Sequence, residues 1–343
     1  MRQYRFTQLD VFTDQPLAGN ALAVFPEGEG LSDEEMQRIA REKNLSETVF
    51  VLKPNQDHSP NDGNDAGDNK TETTQRAGDN NTSKTQQPSV LRRLRIFTPT
   101  LEIPFAGHPV VGTWYALARE GIVPVPDGGS GWTRIYHEIG IGILPVDIEF
   151  KDGQPVQVVM TQGKPELGAV MEDSHEQADL ARALGLARED LDESLPIQVI
   201  STGLKFLAVP VRSLADLSRC RINATLLSDI YNSHGATGCC AFSRETIEVG
   251  AARAHVRMFS PDNNIPEDPA TGSACGALGA YLVHYNAANV EPAEGRYRFV
   301  IEQGDFIKRS SRINLEVTGV PGAVEQVRVG GPSVIVARGE LML

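Results

Sequence analysis

The sequence predicts an α/β protein of two similar halves, in which sheet encloses helix. Three observations carry this expectation. A short motif recurs 162 residues further along the chain; strand-like runs outnumber helical ones; and the stretch Ala274-Cys275-Gly276-Ala277-Leu278-Gly279-Ala280 is small and apolar on every side, as suits a helix inside a sheet.

The composition sets the frame. At 343 residues and 40% hydrophobic side chains there is ample material for a large core. The formal net charge of -13 repels phosphate backbones and anionic lipid, so neither nucleic acid nor membrane is an expected partner. The one basic cluster, Arg92, Arg93 and Arg95, alternates with Leu91, Leu94 and Ile96 and reads as the solvated edge of a strand. Met1 to Phe6 lack the apolar core of a secretory signal, and no apolar run reaches bilayer length. A soluble cytoplasmic protein is expected, with Cys220, Cys239, Cys240 and Cys275 as reduced thiols, since their spacing fits neither zinc nor a disulfide framework.

In chain order, Ser32 and Glu35 form a capping box opening a helix whose Met36, Ile39 and Ala40 share one face, and the chain turns near Asn44. Glu47 then falls at the mouth of a strand running through Thr48–Leu52. Between Asn55 and Ser89 the composition turns to Asn, Asp, Gly, Thr, Ser and Gln, which reads as a disordered insertion replacing a hairpin loop. The flanking strands are Thr48–Leu52 and Leu94–Phe97. A second helix is expected from Pro109 to about Arg119, with proline at its first position and Gly121 just past its end. A third starts near Thr271-Gly272-Ser273 and runs to about His284. Most of the rest reads as strands, among them 156–159, 198–200, 206–211, 256–259, 297–301, 313–317 and 334–337.

The repeat is Phe97-Thr98-Pro99-x-x-x-Ile103-Pro104 against Phe259-Ser260-Pro261-x-x-x-Ile265-Pro266. Each copy follows a strand and leads into a glycine-containing helix start, Ala106-Gly107-His108-Pro109 in one half and Asp268-Pro269-Ala270-Thr271-Gly272-Ser273 in the other. A helix start offers unpaired N–H groups and positive potential, and glycine lets a ligand come close. Two such starts facing one cleft would clamp a carboxylate and stabilise negative charge developing beside it, which favours proton abstraction next to a carboxylate or enol.

Glu47 is the candidate general base, the alternative being a solvated strand-end carboxylate. His108, at a helix start that favours neutral imidazole, is either functional or a capping histidine. Asp268 and Ser273 could likewise act in the cleft or merely cap the third helix. The sequence lacks GxGxxG after a strand, GxxxxGK[ST], HExxH and any metal-spaced cluster, and Thr271 stands where a nucleophile elbow requires glycine. Neither nucleotide cofactor nor metal is called for.

These residues resemble the phenazine-biosynthesis isomerase-like (PhzF-like) family, which shares the diaminopimelate epimerase fold. The resemblance rests on Gln8-Leu9-Asp10-Val11-Phe12-Thr13 with Gly19-Asn20, on Asn44-Leu45-Ser46-Glu47-Thr48, on Phe105-Ala106-Gly107-His108-Pro109, on Ser201-Thr202-Gly203-Leu204 and on Glu267 to Ala274. It implies two pseudo-symmetric lobes, each a curled, barrel-like sheet around a central helix, with a cofactor-free site between them and a homodimeric assembly. The lobes are expected over 1–128 and 129–331, with the C-terminal strand 332–343 completing the first. The resemblance gives Glu47, His108 and Asp268 catalytic roles and makes Asn20, Ser46, Gly107, Gly272 and Ser273 substrate-binding. Two opposed cysteines serve as acid and base in diaminopimelate epimerases and proline racemases; here the helix starts carry His108 and Ser273, and Cys275 reads as a packing residue. Ala21 replaces the usual proline after Gly-Asn, and Lys308-Arg309-Ser310-Ser311 replaces a usual Gly-Arg-Pro-Ser, so the loop after Gln303-Gly304 is expected to differ in shape and the substrate with it. The expected activity is a cofactor-independent proton shift on a small carboxylate; the rival is a catalytically silent small-acid sensor of the same fold.

Overall fold

The computed structural model describes residues 1–55, 89–263 and 265–343. In the first half β1 (Gln3–Val11), β2 (Asn20–Phe25), α1 (Asp33–Lys43), β3 (Glu47–Leu52), β4 (Val90–Phe97), β5 (Glu102–Ile103) and α2 (Gly107–Arg119) lead to β6 (Gly131–Ile139), β7 (Gly142–Lys151) and β8 (Gln154–Thr161). After β9 (Glu166–Val170) and α3 (Ser174–Ala183) the second half runs through β10 (Gln198–Ser201), β11 (Lys205–Pro210), α4 (Leu214–Ser218), α5 (Ala224–Ser233), β12 (Cys239–Ser243) and β13 (Ala252–Ser260). It closes with β14 (Ile265–Asp268), α6 (Gly272–His284), β15 (Arg296–Gln303), β16 (Ser311–Val320), β17 (Ala323–Gly331) and β18 (Ser333–Met342).

The pairing pattern repeats. In the first half β1–β2, β3–β4, β6–β7 and β7–β8 are antiparallel while β2–β3 and β4–β6 are parallel. In the second, β10–β11, β12–β13, β15–β16 and β16–β17 are antiparallel while β11–β12 and β13–β15 are parallel. Even the short strands that carry the sequence repeat correspond, β5 lying on β4 as β14 lies on β13. The halves join through β8–β17, and each closes with a strand from the end of the other: β18 along β1, β9 along β10.

The division expected at 128/129 falls just ahead of β6. Residues 131–161 continue hydrogen bonding from β4, so the sheet changes halves only after Thr161. The polar tract read as disordered lies outside the described residues, apart from its end residues Asn55 and Ser89; its flanks, β3 and β4, pair antiparallel.

The two central helices are 13 residues each and almost wholly buried. Trp114 of α2 and Tyr281 of α6 are fully enclosed, each burial stabilising the fold by about 2 kcal/mol or more. Gly112 brings α2 onto the sheet, since a Cβ there would stand 2.6 Å from Val11 Cγ2 and 2.7 Å from Leu22 Cδ2. Helix α1 has the capping box expected of Ser32 and Glu35, a left-handed Asn44 at its end, and Met36, Ile39 and Ala40 buried against Phe25, Phe50 and Phe97. Helix α2 begins at Gly107, two residues before the expected start. Pro109 is accommodated because first-turn N–H groups have no intrahelical partner to lose. Helices α3, α4 and α5 were not anticipated; their side-chain caps Asp173, Ser213 and Asn223 were the overlooked signal.

Candidate active site

The starts of α2 and α6 meet head to head. A Cβ on Gly107 would lie 3.8 Å from Ser273 N and 3.9 Å from Gly272 Cα. Neither start has a side-chain cap: Ala106 and Thr271 occupy the cap positions without bonding to the first-turn N–H groups. The capping alternatives for His108, Asp268 and Ser273 therefore give way. Both helix ends keep donors and positive potential directed toward the junction of the halves.

Three titratable side chains converge there. Glu47, the first residue of β3, and His108, the second of α2, are both buried, with Glu47 Oε2 3.2 Å from His108 Nε2. The contact lacks the alignment of a hydrogen bond, and both atoms are without a partner. Burial, reinforced by the charge of Asp268, pushes the Glu47 carboxyl up to about 8. Burial pushes His108 down to about 3, so its imidazole is neutral at ordinary pH. Asp268 is raised to about 6 by burial, partly offset by hydrogen bonds from Thr271 and Asn20. The environments thus separate the carboxyls, leaving Asp268 ionised and Glu47 poised at the working pH.

Asn20 knits the group together. Its Nδ2 donates to Asp268 Oδ1 at 2.9 Å and to Ala270 O at 3.0 Å, and stands 3.4 Å from His108 Nδ1. Both amide hydrogens of Asn20 go to Asp268 Oδ1 and Ala270 O, so the contact with Nδ1 does not select the imidazole tautomer. Asn20 Oδ1 is buried and without a partner, like Glu47 Oε2 and His108 Nε2. Gly272 lies against Phe12, whose Cζ would be 3.2 Å from an added Cβ. Ser273 is half-buried. Ser46 is half-buried beside Glu47, and among the described residues no hydrogen bond ties its hydroxyl to the group.

Several supporting residues escaped the sequence reading. Thr271 donates to Asp268 Oδ2, and Gln303, at the end of β15, holds Asp268 O and both polar groups of Thr271. Arg309 reaches from the second half into the first, bonding Asp10 Oδ1 and Ala18 O at 2.7 Å and Gly19 O at 2.9 Å, while Gly19 N donates to Ser310 O. On the far side Gln162 donates to Gly272 O and accepts from Thr202. Cys275 is fully buried, its thiol pushed well above the ordinary range and bonded to Gln303 Oε1, as befits packing rather than acid–base work. Among the described residues no group of three or more His, Cys, Asp or Glu is arranged to hold a metal ion, and no helix is long and apolar enough to cross a membrane.

Comparison with known proteins agrees with this architecture. The profile of a family described as phenazine biosynthesis-like protein matches residues 9–62 and 80–339. An uncharacterized isomerase of Clostridium acetobutylicum is 34% identical over 343 residues, covering 100% of this chain and 99% of that one. The trans-2,3-dihydro-3-hydroxyanthranilate isomerase of Pseudomonas aeruginosa is 34% identical over 341 residues, covering 99% of this chain and 100% of that one. The crystal structure of a Bacillus anthracis phenazine biosynthesis protein of the PhzF family superposes with a TM-score of 0.79 at 27% identity, covering all of both chains.

Proposed function

The chain belongs to the phenazine biosynthesis-like protein family, a family of isomerases, and we propose that it shifts a proton on a small carboxylate substrate without a cofactor. The observation that carries this reading is the buried, unpartnered Glu47 carboxyl between neutral His108 and Asp268, at two facing helix starts. In its ionised form Glu47 takes a proton from a carbon adjacent to the substrate's carboxylate or enol. The C–H electron pair moves into the conjugated system, first-turn N–H groups of α2 and α6 hold the negative charge, and Glu47 returns the proton at another carbon. A base with an affinity near working pH serves both steps, because it must accept and then release. Neutral His108 turns Nε2 toward Glu47 as a group that can donate or accept, and Asp268 keeps the site's charge from collecting on Glu47. Gly107, Gly272 and Ser273 supply the substrate-facing backbone, with Asn20 Oδ1 buried beside them and Ser46 at the rim.

The name of the Pseudomonas aeruginosa relative makes trans-2,3-dihydro-3-hydroxyanthranilate the first compound to try. It is incubated with the protein in D2O beside a panel of unsaturated and amino carboxylates, and isomer formation and deuterium entry are followed by NMR. Turnover that disappears in Glu47→Gln supports the reading. Turnover indifferent to that substitution removes Glu47 from the mechanism, and binding without isomer or deuterium for every compound favours the small-acid sensor.

A further inference from the structure

Asp268 is the one carboxylate of the group held at both oxygens, by Asn20 from the first half and by Thr271 from the start of α6. The Thr271 hydroxyl is not free to choose its acceptor. Gln303 is fully buried, and its amide orientation is dictated by the backbone: Oε1 accepts from Thr271 N at 3.0 Å, so Nε2 faces Asp268 O at 2.7 Å and Thr271 Oγ1 at 3.0 Å. With Gln303 donating to the hydroxyl oxygen, the hydroxyl proton is left for Asp268 Oδ2. The relay is rigid because β15 supplies Gln303 from the enclosed end of a strand paired on both sides, with β13 and with β16.

We propose that Thr271, its hydroxyl aimed by Gln303, is a positioning residue that holds the Asp268 carboxylate ionised and turned toward Asn20 and Glu47 during turnover. This rests on the proton-shift reading above and adds to it the element that keeps the two carboxyls unequal. An oriented O–H donor favours the charged form of Asp268. Without it Asp268 would compete with Glu47 for the proton and swing away from the Asn20 amide. The titratable groups around Asp268 are Glu47 from β3 and Cys275 from α6, with His108 from α2 on the other side of the shared Asn20 amide. Two of these are held neutral by burial, His108 as imidazole and Cys275 as thiol, and Glu47 is the group whose proton affinity Asp268 raises.

The test pairs Thr271→Val, which keeps shape and removes the hydroxyl, with Thr271→Ser, which restores it. Each is made in full-length protein labelled with 13Cγ-aspartate, the Asp268 resonance being assigned with Asp268→Asn. In Thr271→Val the Asp268 titration is expected to move upward by about one pH unit, and in Thr271→Ser to stay with the parent. With trans-2,3-dihydro-3-hydroxyanthranilate as probe, kcat is expected to fall roughly ten-fold in the valine variant with little change in KM, and to return in the serine variant. The titration reads the proposal even if this probe does not turn over. An Asp268 midpoint unmoved by Thr271→Val overturns it, and so does parental kcat in that variant. Parental turnover in both Glu47→Gln and Asp268→Asn would instead overturn the underlying mechanism, leaving the Thr271 titration to stand or fall separately.

Discussion

Asn20 and Asp268, 248 residues apart in the chain, meet at 2.9 Å where the first half donates a side-chain amide to the second half's carboxylate. The same nitrogen stands beside His108 Nδ1, so one residue ties the halves together and holds the Asp268 carboxylate next to the imidazole. The bonded amide makes Asn20 a tie within the site, while its Oδ1 is buried without a partner.

Asn20→Ala should therefore act on protonation as well as on stability. Removing a buried donor leaves Asp268 Oδ1 and Ala270 O short of a partner, at a cost of about 1–3 kcal/mol in unfolding free energy. Asp268 should titrate above its present value of about 6, so that the acid limb of the pH–rate profile moves to higher pH. Urea unfolding and the pH dependence of isomer formation check the two effects, and an unmoved acid limb would show that the amide does not govern Asp268.

Glu47→Gln should abolish turnover while changing how stability depends on pH. Near its ordinary value of 4.5 Glu47 begins to ionise in the unfolded chain, whereas the folded site keeps the proton until about 8. Between those values the folded state binds more protons, so parental stability falls as pH rises, and the effect levels off above about 8. The glutamine variant lacks this slope. Relative to it the parent should lose a few kcal/mol between pH 5 and 8, measurable by urea unfolding at each pH. Parental turnover should rise over the same window as the carboxylate forms, and a pH-independent difference in stability would contradict the buried proton.

Gly107→Ala separates folding from function. The new methyl would meet neighbours at 3.8–3.9 Å, ordinary contact distances, so thermal stability should stay within about 1 kcal/mol of the parent. It would nevertheless stand between the Gly107 and Ser273 N–H groups, where the substrate's charge is proposed to rest. Turnover should drop by about ten-fold or more, the loss expected when oxyanion donors are covered. Equal loss of stability and activity would argue against a role for this gap.

Arg309→Ala tests the tie between the halves. The Asp10 carboxylate is almost wholly buried, and losing its guanidinium leaves a buried charge with, among the described residues, the Leu17 N–H as the remaining partner of its side chain. A cost of about 3 kcal/mol is expected, with a further fall in turnover because Gly19, which leads directly into Asn20, loses its anchor. Arg309→Lys keeps the charge but lacks the planar fork that spans Asp10, Ala18 and Gly19, so it should recover stability only in part. Full recovery by lysine would mean that charge alone, rather than the fork, holds the loop.

Local signals along the chain carried much of this architecture. The Ser32–Glu35 capping box, the all-apolar run of α6 and the 162-residue repeat each reflect interactions among neighbours in sequence, and each lies where those interactions predict. The repeat also anticipated two helix starts facing one another, since equal supersecondary units joined through a common sheet bring equal ends together. Helices α3, α4 and α5 were lost among the surrounding strand signals, despite visible caps, because their apolar stripes are short and their packing is one-sided. The pairing of β4 with β6, which spans the expected division, leaves no mark in composition.

Glu47, His108 and Asp268 were legible as residue types that could do chemistry, and a neutral His108 was expected at its helix start, but the proton affinities of the two carboxyls were not legible. Whether a glutamate is solvated or poised near 8 depends on burial and on a charge arriving from the other half, and neither is a property of its neighbours in sequence. Thr271, Gln303 and Arg309 read as ordinary polar residues until the fold brings Asp268, Asn20 and Asp10 against them. The repeated frame and the chemical groups can be read along the chain, because helix and strand signals act over a few residues; which carboxyl holds a proton follows from the folded arrangement, because it depends on desolvation and long-range hydrogen bonds.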